Sequence, residues 1–199
     1  MYIDLDRLEV LTENSIIKSR VIKRHLDNME ALKAFVEGLI FLNDISSDQE
    51  VLLHSSFWLQ YGRAAISYNP RSPDFEWYAE KIRKSPGFNE TILGDFYSEV
   101  AYVSTQLGDF EKAEIMTKRA SGLYRDDKPD EAAIKSLEGI IWYYRGKPQR
   151  AMQSLTVAHG IWEEIGKTAN MELVSRNMFY YLKSMVAHGY PQSDIYKVL

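Results

Sequence analysis

The chain has no cysteine, and only 6 prolines and 11 glycines in 199 residues. Without a thiol there is no disulfide framework, no thiolate metal site and no cysteine nucleophile. Without a proline- or glycine-rich tract there is no low-complexity segment, and no linker long enough to separate one domain from another. Neither sign of charge dominates. The net charge of −4 comes from 24 basic and 28 acidic residues interspersed along the chain, which argues against a general nucleic-acid or membrane-surface binder. Long apolar runs are missing too: Leu39-Ile40-Phe41-Leu42 is far short of a membrane span. The opening Met1-Tyr2-Ile3-Asp4-Leu5-Asp6 carries acids where a secretory signal would carry basic and then apolar residues. These absences predict a soluble, cytoplasmic protein.

What is present is helical. Hydrophobic residues make up 45% and aromatics 13%, enough to exclude wholesale disorder. Between Asn14 and Asn43, Ile22, Leu26, Met29, Leu32, Val36 and Ile40 recur every three or four residues, the helical period with no period-2 pattern competing. The stretch is long for one helix and predicts a break near Asp27-Asn28. Ser46-Ser47-Asp48 then supplies a cap. Further helices are expected over 48–68, 74–84 (with Pro73 in its first turn), 90–107, 110–124, 131–145, 148–165 and 169–188, with a short helical tail. Asn69-Pro70, Ser85-Pro86-Gly87, Asp126-Asp127 and Gly189-Tyr190-Pro191 provide the breaks.

Two segments repeat one pattern at an offset of 38 residues. Gly108 is followed by Ala113 and Ala120; Gly146 is followed, at the same spacings, by Ala151 and Ala158. Seven residues before each turn glycine stands a small residue, Ala101 or Gly139, and Gly62 continues the series 39 residues earlier, with Asn69 at its turn. A small residue lets two helix backbones approach, and the turn needs a residue that tolerates left-handed geometry. Such a helix–turn–helix unit cannot bury its apolar face alone, so copies stack. Glu37-Gly38-Leu39-Ile40 echoes Glu138-Gly139-Ile140-Ile141, but Gly38 is too close to Gly62 for a full pair at this period; the N-terminal third is read as a cap.

The pattern resembles the tetratricopeptide repeat, best over residues 94–165, weakly over 55–84, and only at the turn over 175–199. Glu138 stands where that family prefers leucine. The resemblance implies an all-α, right-handed solenoid of antiparallel helix pairs. Its expected segments are an N-terminal helical cap (1–47), three to four helix pairs (48–190) and a C-terminal helical tail (191–199). The family's first helices line a concave groove. Carried over by counting from the small residue, the groove-facing positions are Arg63 and Ile66; Tyr102, Thr105 and Gln106; Ile140, Tyr143 and Tyr144; and Arg176, Phe179 and Lys183. Of these, Arg63, Tyr102, Gln106, Tyr143, Tyr144, Arg176, Phe179 and Lys183 are the candidate peptide-binding residues. Tyrosines offer large contact area at low entropic cost, and cations can hold a peptide carboxylate. The family's clamp for chaperone tails needs a Lys and an Asn four apart; Leu59 and Arg63 stand there instead, which argues against that partner.

Catalysis finds no nominee. His25, His54, His159 and His188 lack metal-ligand spacing. Glu163-Glu164 and Asp126-Asp127 are adjacent and diverge, unlike an acid–base pair facing one substrate. No nucleophile elbow or phosphate loop occurs. The basic cluster Lys18, Arg20, Lys23 and Arg24 is followed closely by Asp27, Glu30 and Glu37 and reads as a solvated face, which argues against a nucleic-acid partner. The expectation is a non-enzymatic module without cofactor or metal that binds a protein or peptide as an adaptor or scaffold. Two alternatives stay open. One is a ligand- or peptide-sensing domain of a bacterial signalling or transcription regulator. The other is a self-assembly domain, in which Ile195, Val198 and Leu199 leave an apolar end for a homodimer, or the chain is a segment of a longer one.

Overall fold

A computed structural model describes residues 5–45, 47–71, 74–124, 128–166 and 170–195. Every element among them is helical. The chain divides into two compact units, residues 1–100 and 101–199, with the boundary falling inside one helix.

The first unit holds α1 (Leu5–Asp27), α2 (Ala31–Asn43), a 3-10 stretch (Ser47–Leu52), α3 (Ser55–Tyr68), α4 (Phe75–Lys84) and the start of α5 (Glu90–Gln106). The break expected near Asp27-Asn28 is present. The Lys18–Glu37 ion pair (2.9 Å) and the His25–Glu30 hydrogen bond (2.8 Å), the latter at the residue that precedes α2, come in opposite order on the two helices, as an antiparallel pair requires. The core is aromatic: Phe57, Trp58, Tyr61, Tyr78 and Phe96 are buried. Gly38 and Gly62 make room for it. A Cβ on Gly38 would lie 2.3 Å from the Tyr61 ring, and one on Gly62 would lie 2.7 Å from the Phe96 ring. Gly38 therefore does have the packing role of the other small residues, its spacing notwithstanding.

The continuous helix expected over 48–68 is two elements. The cause is His54, which N-caps α3: its Nδ1 accepts the Ser56 N–H at 3.2 Å, while its own N–H donates to Ser15 Oγ on α1 at 2.9 Å. Ser55 N–H donates to the Pro86 carbonyl at 2.9 Å. With those donors satisfied outside a helical ladder, the chain turns at Leu53, which is fully buried.

The second unit holds the end of α5, then α6 (Phe110–Ser121), α7 (Lys128–Tyr144), α8 (Pro148–Ile165), α9 (Met171–His188) and α10 (Gln192–Ile195). Helix α7 begins three residues before its expected start because Pro129 fits the first turn. It packs on α6, α8 and α9, and α9 packs on α8 as well. Ala113, Ala120, Ala151 and Ala158 are all fully buried. A Cβ on Gly139 would stand 2.5 Å from Leu155 Cγ and 3.1 Å from the Ala151 carbonyl oxygen, so α7 and α8 meet through that missing side chain.

The turns repeat in detail. Gly108 (φ 79°), Gly146 (φ 69°) and Gly189 (φ 85°) are left-handed. Each donates to the carbonyl three residues back, and the next residue donates to the carbonyl five back, as in Asp109→Ser104 (3.0 Å), Lys147→Trp142 (2.9 Å) and Tyr190→Met185 (3.0 Å). Asn69 breaks the series, with φ −138°; α3 ends in extended backbone ahead of Pro70 instead of a left-handed cap. The Ser46 cap, Pro73, Asp126-Asp127, and Val198 and Leu199 lie outside the described residues.

Two expected outcomes follow from this packing. Gly139→Ala should destabilise by about 1–3 kcal/mol through overpacking against Leu155 and backbone, whereas Gly160→Ala, with nothing within 4 Å of its Cβ, should stabilise by about 0.5–1 kcal/mol from helix propensity; denaturant titrations giving both the same sign would contradict the close approach. Burial lowers the His54 imidazole below its ordinary 6.5. The unfolded chain then takes up the proton first, so the His54 contribution is complete above that pH and shrinks as pH falls through the folded value. Protonation at Nδ1 also removes the acceptor for Ser56. Thermal melts from neutral to mildly acidic pH should show the protein losing more stability than His54→Asn, which keeps a capping side chain.

Candidate functional site

Seven of the eight candidate residues come together in the second unit, around a side chain that the repeat spacing does not single out. Tyr180, on the inner side of α9, is 2% exposed. Its hydroxyl lies 3.1 Å from that of Tyr144 on α7 and 3.4 Å from that of Tyr102 on α5, and the Gln106 side chain bonds to it as well. The rings of Tyr143 and Phe179 pack on Tyr180 at centroid distances of 5.6 and 5.2 Å. Tyr180 was legible only indirectly, as the middle of Phe179-Tyr180-Tyr181 and one helical turn from Arg176.

Two cations border these rings. The Arg176 guanidinium lies 4.0 Å from the Tyr102 ring centroid and donates to Glu172 at 3.0 Å. Lys183 Nζ lies 4.6 Å from the Phe179 centroid, 5.9 Å from Tyr143 and 6.0 Å from Tyr180. Among the described residues no carboxylate comes within ion-pair distance of it, so its charge is answered by ring faces alone. Phe179 is 52% exposed and Tyr144 37%; Tyr102 and Tyr143 lie half-buried against Ile140, Ala151 and Leu155. The tyrosines thus serve the core on one edge and meet solvent on the other.

Asn177 sets this arrangement in register. Fully buried on α9, its Oδ1 accepts from Ser136 Oγ of α7 at 3.0 Å and its Nδ2 donates to the Leu155 carbonyl of α8 at 3.2 Å. One amide ties three helices. A slip of α9 would strand buried polar groups, at about 1–3 kcal/mol each.

The Tyr144 and Tyr180 hydroxyls are held neutral. Burial, then the bond to Tyr180, pushes the Tyr144 hydroxyl up to about 12, and burial first raises Tyr180 also. A surface with neutral hydroxyls, ring faces and an uncompensated ammonium can donate hydrogen bonds and attract an anionic or carbonyl-rich group.

Arg63 lies in the first unit, its side chain 3.7 Å from Glu99 and 3.4 Å from Gln60. Ile66, Thr105 and Ile140, counted as groove-facing, are buried; Thr105 Oγ1 donates to its own helix at Ala101. Counting from the small residue put them one helix face too far out. In the basic cluster, Lys18 pairs with Glu37 and Lys23 with Asp27. The histidines have local roles: His25 bonds Glu30, His54 caps α3, His159 lies 3.6 Å from Glu163, and His188 packs on Tyr190. Among the described residues no His, Asp or Glu cluster suits a metal ion, and no helix is long and apolar enough to cross a membrane.

Comparison of the chain with protein-family models, curated proteins and solved structures finds no match.

Tyr180→Phe removes the hydroxyl shared by Tyr102 and Tyr144. Stability should fall by about 1 kcal/mol, and Tyr144 should ionise below its present value because the bond and charge repulsion that raise it are gone. Alkaline difference absorbance checks this: beyond the loss of the Tyr180 phenol itself, an unchanged Tyr144 step would mean the two hydroxyls do not interact.

Proposed function

We propose that the protein is a non-enzymatic, tetratricopeptide-like helical-repeat module that binds a peptide or protein segment, as an adaptor or scaffold, through the surface around Tyr180. The observation that carries this reading is Lys183, an ammonium answered by ring faces and, among the described residues, by no carboxylate, beside exposed Phe179 and half-buried Tyr143. Aromatic anchors next to a charge that gains a counter-ion on binding are the features that concentrate binding energy at interfaces. The repeated glycine turns and buried alanines support the repeat reading, since they recur at matching places in successive helix pairs. In this reading α5, α7 and α9 are first helices, and their shared face is the groove wall. The polar side chains fix the orientation of the guest chain, and the rings supply its contact area.

Selection from a random peptide library against the whole protein, followed by calorimetry on the winners, tests it. Lys183→Ala, Phe179→Ala and Tyr143→Ala should each weaken binding by about fivefold or more. Val157→Ala, at an exposed position of α8, should leave it unchanged. Selected peptides indifferent to all three replacements would place binding elsewhere, and a library yielding none would remove the adaptor reading.

A further inference from the structure

The α1–α2 hairpin shows solvent a face that a helix of this kind normally buries. Helix α2 turns Ala34 and Gly38 inward and leaves Leu32 (54%), Val36, Leu39 and Ile40 (51%) exposed, at a spacing of one or two helical turns. The remaining charges on this helix are Lys33, bonded to Glu30, and Glu37, bonded to Lys18. Beside the stripe, α1 exposes Val10 and Ile17. With Met29 at the hairpin tip, 95% exposed and left-handed at φ 60°, the summed exposure of these seven residues is on the order of 700 Å², close to the roughly 800 Å² each partner gives a standard interface.

The charges around the patch select its occupant. Along the outer face of α1, Glu9 and Glu13 precede Ile17, and Arg20 and Arg24 follow it. None of the four pairs with another side chain among the described residues, although Lys18 and Lys23 on the same helix do. The Lys18–Glu37 bond sets Ile17 and Val36 within about one turn of the same level. We infer that this face binds a second copy of the chain in an isologous, antiparallel dimer whose two-fold axis crosses both helices at the level of Ile17 and Val36. Val36 then meets its own counterpart, and Leu32 meets the second copy's Ile40. Glu13 approaches the second copy's Arg20 and Arg24, and the reverse, so acidic and basic ends satisfy each other twice. A parallel arrangement would stack like charges. An anionic lipid surface would be attracted by the arginines but repelled by Glu9 and Glu13, which a second copy turns to use.

The absence of cysteine gives a clean test. Val36→Cys should oxidise to a covalent dimer, and Val157→Cys should not. In sedimentation equilibrium at micromolar concentration the unmodified protein should be dimeric, and Val36→Lys, which buries two like charges at the axis, should raise the dissociation constant by about thirtyfold or more. The chains Glu13→Arg and Arg20→Glu/Arg24→Glu should each dimerise poorly alone and associate when mixed. Circular dichroism and melting temperature verify that the exposed-site variants remain folded. A protein monomeric throughout that range, or a dimer insensitive to Val36→Lys and to the charge exchanges, overturns the inference. So does a monomer that instead uses this face on anionic vesicles.

Discussion

Everything in the second unit depends on Gly139 having no side chain. Leu155 and the Ala151 carbonyl occupy the volume where a Cβ would stand, so α7 and α8 can approach only at that point and in that register. Once they meet there, Ser136 and the Leu155 carbonyl both face α9, and Asn177 bonds both. The buried amide leaves α9 one satisfactory setting, because Asn177 itself would lose both partners in any other. Tyr180, one turn further along α9, is thereby delivered between Tyr102 and Tyr144. A steric vacancy fixes two helices, a hydrogen-bonded amide fixes the third, and the aromatic surface follows from both.

The glycine turns and close approaches were legible because they are steric requirements with fixed positions. A left-handed turn demands glycine, and three of them end α5, α7 and α9 with the same pair of hydrogen bonds. Close approach demands glycine or alanine, and Gly38, Gly62 and Gly139 all meet a side chain there. The break at His54 was not legible, because it depends on Ser15, 39 residues away in sequence, and on the Pro86 carbonyl. Local pattern cannot report a partner brought by tertiary structure. Asn69 misled for a related reason: a residue able to adopt left-handed backbone need not do so when a proline follows.

The candidate site was half legible. Counting along helices found Tyr143, Tyr144, Phe179 and Lys183, because solvent-facing positions recur with the helical period. The same count carried Ile66, Thr105 and Ile140, which face the core, since a fixed offset ignores how far each helix is rotated about its own axis. Tyr180 escaped because it is buried, and burial of a tyrosine depends on whether other hydroxyls wait for it. Here Tyr102, Tyr144 and Gln106 do.

The two exposed surfaces differ in the physics they offer. The α2 stripe presents aliphatic side chains with no free donor or acceptor, so its attraction is proportional to area and has little directional preference. Direction there comes from the rim, where Glu9 and Glu13 stand opposite in sign to Arg20 and Arg24 along one helix. The surface around Tyr180 has the reverse balance: less aliphatic area, and phenol hydroxyls, a guanidinium and an ammonium held at fixed angles by rings and by Asn177. An interface that must recognise the same partner every time can be built on area edged by charge. One that must distinguish among guest chains needs fixed polar groups whose mismatch is costly. That difference is what separates the two proposals, self-association for the hairpin face and peptide recognition for the tyrosine cluster.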